Sequence, residues 1–176
     1  MRAGMRAAAV AAALTSVLAA CGADGIEPEK WAKSVCVAVK PWSAQIDASV
    51  TQARTKITAA SDPTQTKTEL VALFRGAKQA SDDAVAKVKK AGVPVADNGK
   101  QVADQFVGAL SAAGDNFGRA AEGVQTLPTT DRTAFYHGVV KVGDQLSKDN
   151  NKSSTQLSTV RSKDLEKAFD KVPECR

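Results

Sequence analysis

The side chains that could carry out chemistry are few in this chain of 176 residues. His137 is the single histidine, and neither a G-x-S-x-G nor a Ser-x-x-Lys arrangement occurs anywhere. Asp82 and Asp83 are adjacent in a helical pattern, and adjacent helical side chains point apart, so the two carboxyls cannot share a proton. We therefore expect no catalytic residues and no enzyme activity.

Ligands for a metal or a cofactor are equally scarce. There is no C-x-x-C pair, and the only two methionines, Met1 and Met5, lie in the leader described below. We expect no metal site, because such sites need several histidine or cysteine ligands, and no haem, because His137 is the one axial ligand left. The expected role of His137 is structural, and the alternative is a proton switch.

The first of three cysteines, Cys21, ends a leader with the features of a signal peptide. Arg2 and Arg6 precede an uncharged, apolar run from Ala7 to Ala20, which is too short for an ordinary transmembrane helix. The sequence Leu-Ala-Ala-Cys resembles the bacterial lipobox, in which the cysteine receives a diacylglyceryl group. We expect a signal peptide over 1–20, a lipidated Cys21 and a polar tether over 21–27. The alternative is a plain secretory signal followed by an incidental cysteine.

Localisation follows from this anchor, and it bears on the other two cysteines. The expected place is the extracytoplasmic face of the cell membrane, an oxidising compartment, where Cys36 and Cys175 would form a disulfide. Two free thiols are the alternative. After cleavage the charge is 22 basic against 19 acidic residues, or +3, with the signs alternating along the chain. Such a balance does not indicate nucleic-acid binding.

The rest of the chain, 28–176, shows apolar residues at helical spacing, which predicts four long helices and a short last one. The first begins at Pro28 and contains Pro41, where we expect a kink. The second begins at a cap on Asp62 or Thr66, and the third runs from about 97 to 125. A fourth, capped by Thr129 or Thr130, continues past 146, as far as about 160. We expect an all-α, antiparallel up-down four-helix bundle, in which the fourth helix ends beside the start of the first.

The apolar residues at helical spacing form a stripe along one face of each predicted helix. Three features of these stripes bear on binding. Gly114 and Gly118 indicate close packing against a neighbouring helix, or else a docking surface for a partner. Trp31 and Trp42 fit core positions, although either could hold a ligand or lie at the membrane interface. Alanine is frequent in the stripes and lets helix axes approach closely, which predicts little room for an internal pocket.

With "EKWAKSVC" at 29–36, Trp42 and the terminal "PEC", the chain resembles the small secreted lipoproteins of high-GC Gram-positive bacteria. The resemblance implies a lipid-anchored, disulfide-closed helical domain and supplies no catalytic residues. We therefore expect a non-catalytic interaction module that acts on an envelope protein or a cell-wall polymer. The alternative is a carrier of a small apolar ligand or lipid between its helices.

Overall fold

The computed structural model describes residues 25–156 and 161–176, with the side chains of 153–156 excepted. The predicted all-α class is confirmed, and the described residues contain no strand beyond one isolated bridge between Ile26 and Pro94. The helices are α1 (Pro28–Lys56), α2 (Pro63–Lys90), α3 (Gly99–Gln125), α4 (Arg132–Gln156) and α5 (Lys163–Lys171), followed by a 3₁₀ turn over Pro173–Cys175.

Two helix starts differ in how well they were predicted. The Asp62 carboxylate caps α2 by accepting a hydrogen bond from the Gln65 amide at 2.8 Å, so the first of the two predicted caps is correct. The predicted caps for α4, Thr129 and Thr130, are wrong. Asp131 performs this role, because its Oδ1 accepts from the Ala134 amide at 3.0 Å.

The start of α3 depends on a glycine. Asn98 adopts a left-handed conformation with φ 57° and directs the chain into the helix at Gly99. A β-carbon on Gly99 would lie 2.2 Å from the Pro94 carbonyl oxygen, which no larger residue could accommodate without a backbone shift. The helix therefore begins two residues later than the predicted start near Asp97.

The interiors of α1 and α4 are continuous. α1 runs through Pro41 as one helix, and α4 continues through 149–154, the weakest stretch of the sequence pattern. The predicted extension of α4 over 157–160 falls outside the described residues.

The helices pack in chain order, with α2 against α1 and α3, and α4 against α3. α2 and α3 approach each other closely. There a β-carbon on Gly114 would lie 3.2 Å from the Ser81 β-carbon, and one on Gly118 would lie 3.4 Å from Lys78 Cδ. These two glycines pack within the bundle, as their spacing predicts. The largest fully buried side chains of the core are Trp31, Phe135, Leu165, Val35, Val88, Val124 and Ser81.

The predicted disulfide between Cys36 and Cys175 is present, with a Cα–Cα distance of 5.1 Å and a sequence separation of 139. The helix that delivers Cys175 is α5, which packs on α1 through Ala168 and Val172 around the buried Ala32. The predicted contact between the end of the fourth helix, near 160, and the start of α1 lies outside the described residues. In the part of the chain that the structure describes, α1 and α4 are not packed as neighbours. Over these residues the up-down bundle is open along its α1–α4 side.

Candidate functional site: an apolar cleft

The open side of the bundle forms a cleft of about 410 Å³ between α1 and α3. Its walls are apolar and three of its side chains are aromatic. The polar groups that the described residues contribute are a hydroxyl, a carboxylate and an amide. The lining consists of Val39, Trp42, Ser43, Ile46 and Asp47 from α1, of Phe106, Ala109, Leu110, Ala113 and Phe117 from α3, and of Asn150 from α4.

The cleft contradicts the expectation that frequent alanine leaves little room between the helices. Small residues draw axes together only where two helices face each other directly, as α2 and α3 do around Ala77 and Gly114. Ala109 and Ala113 instead lie on the cleft wall, where none of the described helices packs against them and their short side chains widen the space. The same residue type therefore has opposite effects on the two faces of α3.

Trp42 forms part of the α1 wall and is held in place from behind. Its indole Nε1–H donates to the Ser81 hydroxyl of α2 at 2.9 Å. Ser81 is fully buried, and its own hydroxyl donates to the Ala77 carbonyl at 2.9 Å. The hydroxyl therefore accepts and donates at once, which fixes the indole plane relative to α2.

An aromatic cluster supports the α3 wall. The Phe106 ring, which lines the cleft, stacks on Phe169 of α5 with ring centroids 5.7 Å apart. Trp31 meets both rings edge-on, at 5.6 Å from Phe106 and 5.9 Å from Phe169. The Trp31 indole in turn donates to the Gly92 carbonyl at 3.0 Å. These contacts couple the wall to α1, α5 and the α2–α3 loop, so Phe106 is not free to collapse into the cleft.

A polar network joins α3 to α4 at the rim. The buried Asn116 donates from its side-chain amide to the side-chain oxygen Oδ1 of Asn150 at 2.8 Å. Its own side-chain oxygen accepts from the Arg119 guanidinium. Arg119 also lies 3.4 Å from Asp149 of α4. These bonds keep α4 on α3 and hold Asn150 at the cleft edge.

The structure separates the other residues singled out in the sequence from this cleft. Cys21 lies outside the described residues, and His137 is exposed on α4 and does not line the cleft. Asp82 and Asp83 are also exposed. Lys78 donates to Asp82 at 2.8 Å, and this hydrogen bond raises the pKa of Lys78, while Gln79 donates to Asp83 at 2.9 Å. Both carboxylates belong to the solvated face of α2.

Three residues of the cleft and its support were missed in the sequence: Ser81, Asn116 and Asn150. A signal existed for the first two. Ser81 falls between Ala77 and Ala84 at positions where the apolar stripe of α2 should continue, and Asn116 lies beside Phe117 in the stripe of α3. A polar residue in an apolar stripe is buried and needs a partner, which makes it a candidate for positioning other side chains. Asn150 carried no such signal.

Within 25–156 and 161–176, no group of three or more histidine, cysteine, aspartate or glutamate side chains is arranged to hold a metal ion. Over the same residues, no helix combines the length and the apolar character needed to cross a membrane. Comparison of the chain with models of protein families, with characterised proteins and with solved structures finds no match. The fold and the cleft define an all-α, disulfide-closed bundle with an open apolar site.

Proposed function

We propose that this protein is a non-catalytic binding domain, held at the extracytoplasmic face of a bacterial membrane by a lipid on Cys21. In this proposal the cleft between α1 and α3 takes a small apolar ligand. The anchor is supported by the basic, apolar leader and by Leu-Ala-Ala-Cys before Gly22. The proposal includes membership of the lipoproteins of high-GC Gram-positive bacteria that the sequence resembles.

The observation that carries the binding proposal is the cleft itself. Small-molecule sites typically have about 300–1,000 Å³ of space, apolar and aromatic walls, and a few polar groups that orient the ligand. The cleft has about 410 Å³, the aromatic side chains of Trp42, Phe106 and Phe117, and polar groups at Ser43, Asp47 and Asn150. Its dimensions suit a compound of a few fused rings or a segment of acyl chain.

This choice reverses the order expected from the sequence, where a surface for an envelope protein or a wall polymer came first. A carbohydrate polymer needs many hydrogen-bonding groups, and the lining supplies three. A protein partner needs a contiguous exposed patch. On the helix faces of the described residues, the large exposed apolar side chains are Val37 of α1 and Val140 of α4, which stand apart on different helices.

The lining also supports a binding role over a catalytic one. It contains one carboxylate, one hydroxyl and one amide, with no imidazole, thiol or amine beside them. A nucleophile activated by a neighbouring base, the minimum for covalent catalysis, is not assembled from these groups.

The experiment fills the cleft with a larger side chain and measures how this changes the binding of a fluorescent probe. Ala113→Trp places an indole in the cleft, and Ala86→Trp, on the exposed face of α2, is the matched control. The full lipidated chain in nanodiscs is titrated with 1-aminoanthracene, a neutral three-ring fluorophore, and the signal of empty discs is subtracted. We expect saturable binding that Ala113→Trp weakens at least tenfold and Ala86→Trp leaves unchanged. Absence of saturable binding, or equal binding by both variants, would contradict the proposal.

A further inference from the structure

We infer that one end of the bundle docks directly on a lipid surface, through the apolar side chains of Ile26, Val93 and Val95. We call these three residues the apolar end patch. The inference rests on the lipid anchor proposed above. It adds an orientation, in which the start of α1 and the α2–α3 loop face the bilayer and the opposite end points away.

Backbone hydrogen bonds join the beginning of the described chain to the α2–α3 loop. The Ile26 amide donates to the Val93 carbonyl at 2.9 Å, and the Val95 amide donates to the Ile26 carbonyl at 2.8 Å. Gly25 fits closely here, since a β-carbon on it would lie 3.1 Å from the Val93 carbonyl oxygen. The described chain therefore begins at the apolar end patch itself.

The distance to the anchor is short. Gly25 is four positions after Cys21, and four residues of fully extended chain cover about 14 Å. The opposite end of the bundle, with Ala60 in the α1–α2 turn, lies a helix length away, which for the 28 residues of α2 is about 40 Å. The anchor can reach only the end that carries the patch.

The surface chemistry of this end suits a lipid interface. In the described part of the chain five large apolar side chains are exposed. Three of them, the residues of the apolar end patch, lie at this end, with Ile26 39%, Val93 41% and Val95 48% exposed. The parallel bridge of Ile26 with Pro94 puts Val93 and Val95 on one face of the paired backbone and Ile26 on the other, so both faces of this tip are apolar. The other two, Val37 and Val140, lie singly on helix faces. Apolar groups gathered beside an anchor can enter the boundary between headgroups and acyl chains without any spanning element.

The charges next to the patch favour an anionic surface. Lys87, Lys89 and Lys90 occupy the last turn of α2, are exposed, and take part in no ion pair among the described residues. Asp97 is an opposing charge in the α2–α3 loop, while Glu27 is neutralised by Lys30 at 2.9 Å. Around the α2–α3 loop itself, three lysines against the carboxylate of Asp97 leave a positive surface, which attracts anionic headgroups.

The test measures contact with acyl chains at the two ends of the bundle. The full lipidated chain carrying Val95→Trp is reconstituted in vesicles of phosphatidylcholine and phosphatidylglycerol, with part of the phosphatidylcholine brominated on its acyl chains. Bromine quenches an indole that reaches the acyl region. Ala60→Trp is the matched control at the far end, and Val93→Trp is a second probe if Val95→Trp does not fold.

We expect quenching of the Val95→Trp indole at least twice that of the Ala60→Trp indole, whose emission stays at the level of the parent chain. Adding Lys89→Gln and Lys90→Gln should lower this quenching in the anionic vesicles. Equal quenching at both ends, or none at Val95 and Val93, would overturn the inference. The intact mass of the same preparation separates the two proposals. An acylated chain without quenching contradicts docking alone, and a chain without acyl mass contradicts the anchor as well.

Discussion

The indole Nε1–H of Trp42 on α1 donates to the hydroxyl of Ser81 on α2 at 2.9 Å, and Ser81 has no exposed surface. One wall of the cleft is therefore positioned by a contact that lies behind it, in the α1–α2 interface. Because a buried hydroxyl without a partner is costly, this pair also favours the native register of α1 on α2.

Replacing Ser81 with alanine tests this relationship. Ser81→Ala leaves the indole N–H without its acceptor in a half-buried place, and we expect a loss of about 1–3 kcal/mol in the free energy of unfolding. Ser34→Ala is the control, because the Ser34 hydroxyl is exposed and bonds only to Lys30 of its own helix. Urea titration followed by circular dichroism measures both. Equal stability of the two variants would show that the Trp42–Ser81 bond contributes nothing.

Removing the disulfide should have a larger effect. The bridge closes a loop over 139 residues, and in the chain-entropy model its loss costs about 4–5 kcal/mol. We expect the double variant Cys36→Ser, Cys175→Ser to lose stability by this amount in urea titration, and the reduced wild type to unfold at the same concentration as the double variant. A melting temperature that neither reductant nor substitution changes would contradict this role of the bridge.

Two glycines of α3 should respond to alanine with opposite signs. Gly99→Ala forces its β-carbon against the Pro94 carbonyl, and overpacking of this kind costs about 1–3 kcal/mol. Gly108→Ala meets no atom within 4 Å, so it should stabilise the helix by about 0.5–1 kcal/mol. Chemical denaturation of the two variants, compared with wild type, measures the difference. The same sign of change for both would show that the turn before α3 is not as tight as described.

The ionisation of Glu174, the residue before Cys175, tests the ion pair that this residue forms with Lys33 of α1. Its carboxylate accepts from Lys33 at 2.6 Å, and this hydrogen bond, assisted by one from the backbone amide of Glu174, holds its pKa below the ordinary value. A lowered folded-state pKa means that the stabilisation is present above the ordinary carboxyl pKa and is lost as the pH falls through the folded-state value.

The measurement for Glu174 is an NMR titration of its side-chain carboxyl carbon. We expect Lys33→Gln to raise the titration midpoint toward that of a free glutamate. Lys30→Gln, which removes the partner of Glu27 instead, should leave the Glu174 midpoint where it is in the wild type. Identical midpoints in the wild type and in Lys33→Gln would contradict the assigned cause.

Local patterns predicted most of the fold. The stripes through Trp31 and Val35, or through Val102 and Leu110, fixed the helices because burial of one face repeats with the period of the helix. The disulfide was predictable from the number of cysteines and from the oxidising compartment that the leader pattern predicts. Neither inference needs knowledge of which helices are neighbours.

The cleft could not be predicted in the same way. Whether α4 touches α1 depends on its lateral position on α3, which is set by pairs such as Asn116 with Asn150 and Arg119 with Asp149. Polar pairs between helices have no periodic signature in one sequence. The residues of the α1 wall, Val39 and Ile46, look like core positions in the sequence and line a cleft because none of the described helices covers them.

The central claim is that the cleft holds an apolar compound, and a comparison of two masses tests it most directly. The mature protein is purified from its own cells, and its mass is measured under native and then under denaturing conditions. We predict a native mass that exceeds the denatured mass by one defined apolar compound, an excess that Ala113→Trp removes and Ala86→Trp retains. Native and denatured masses that coincide in the wild type would contradict the claim.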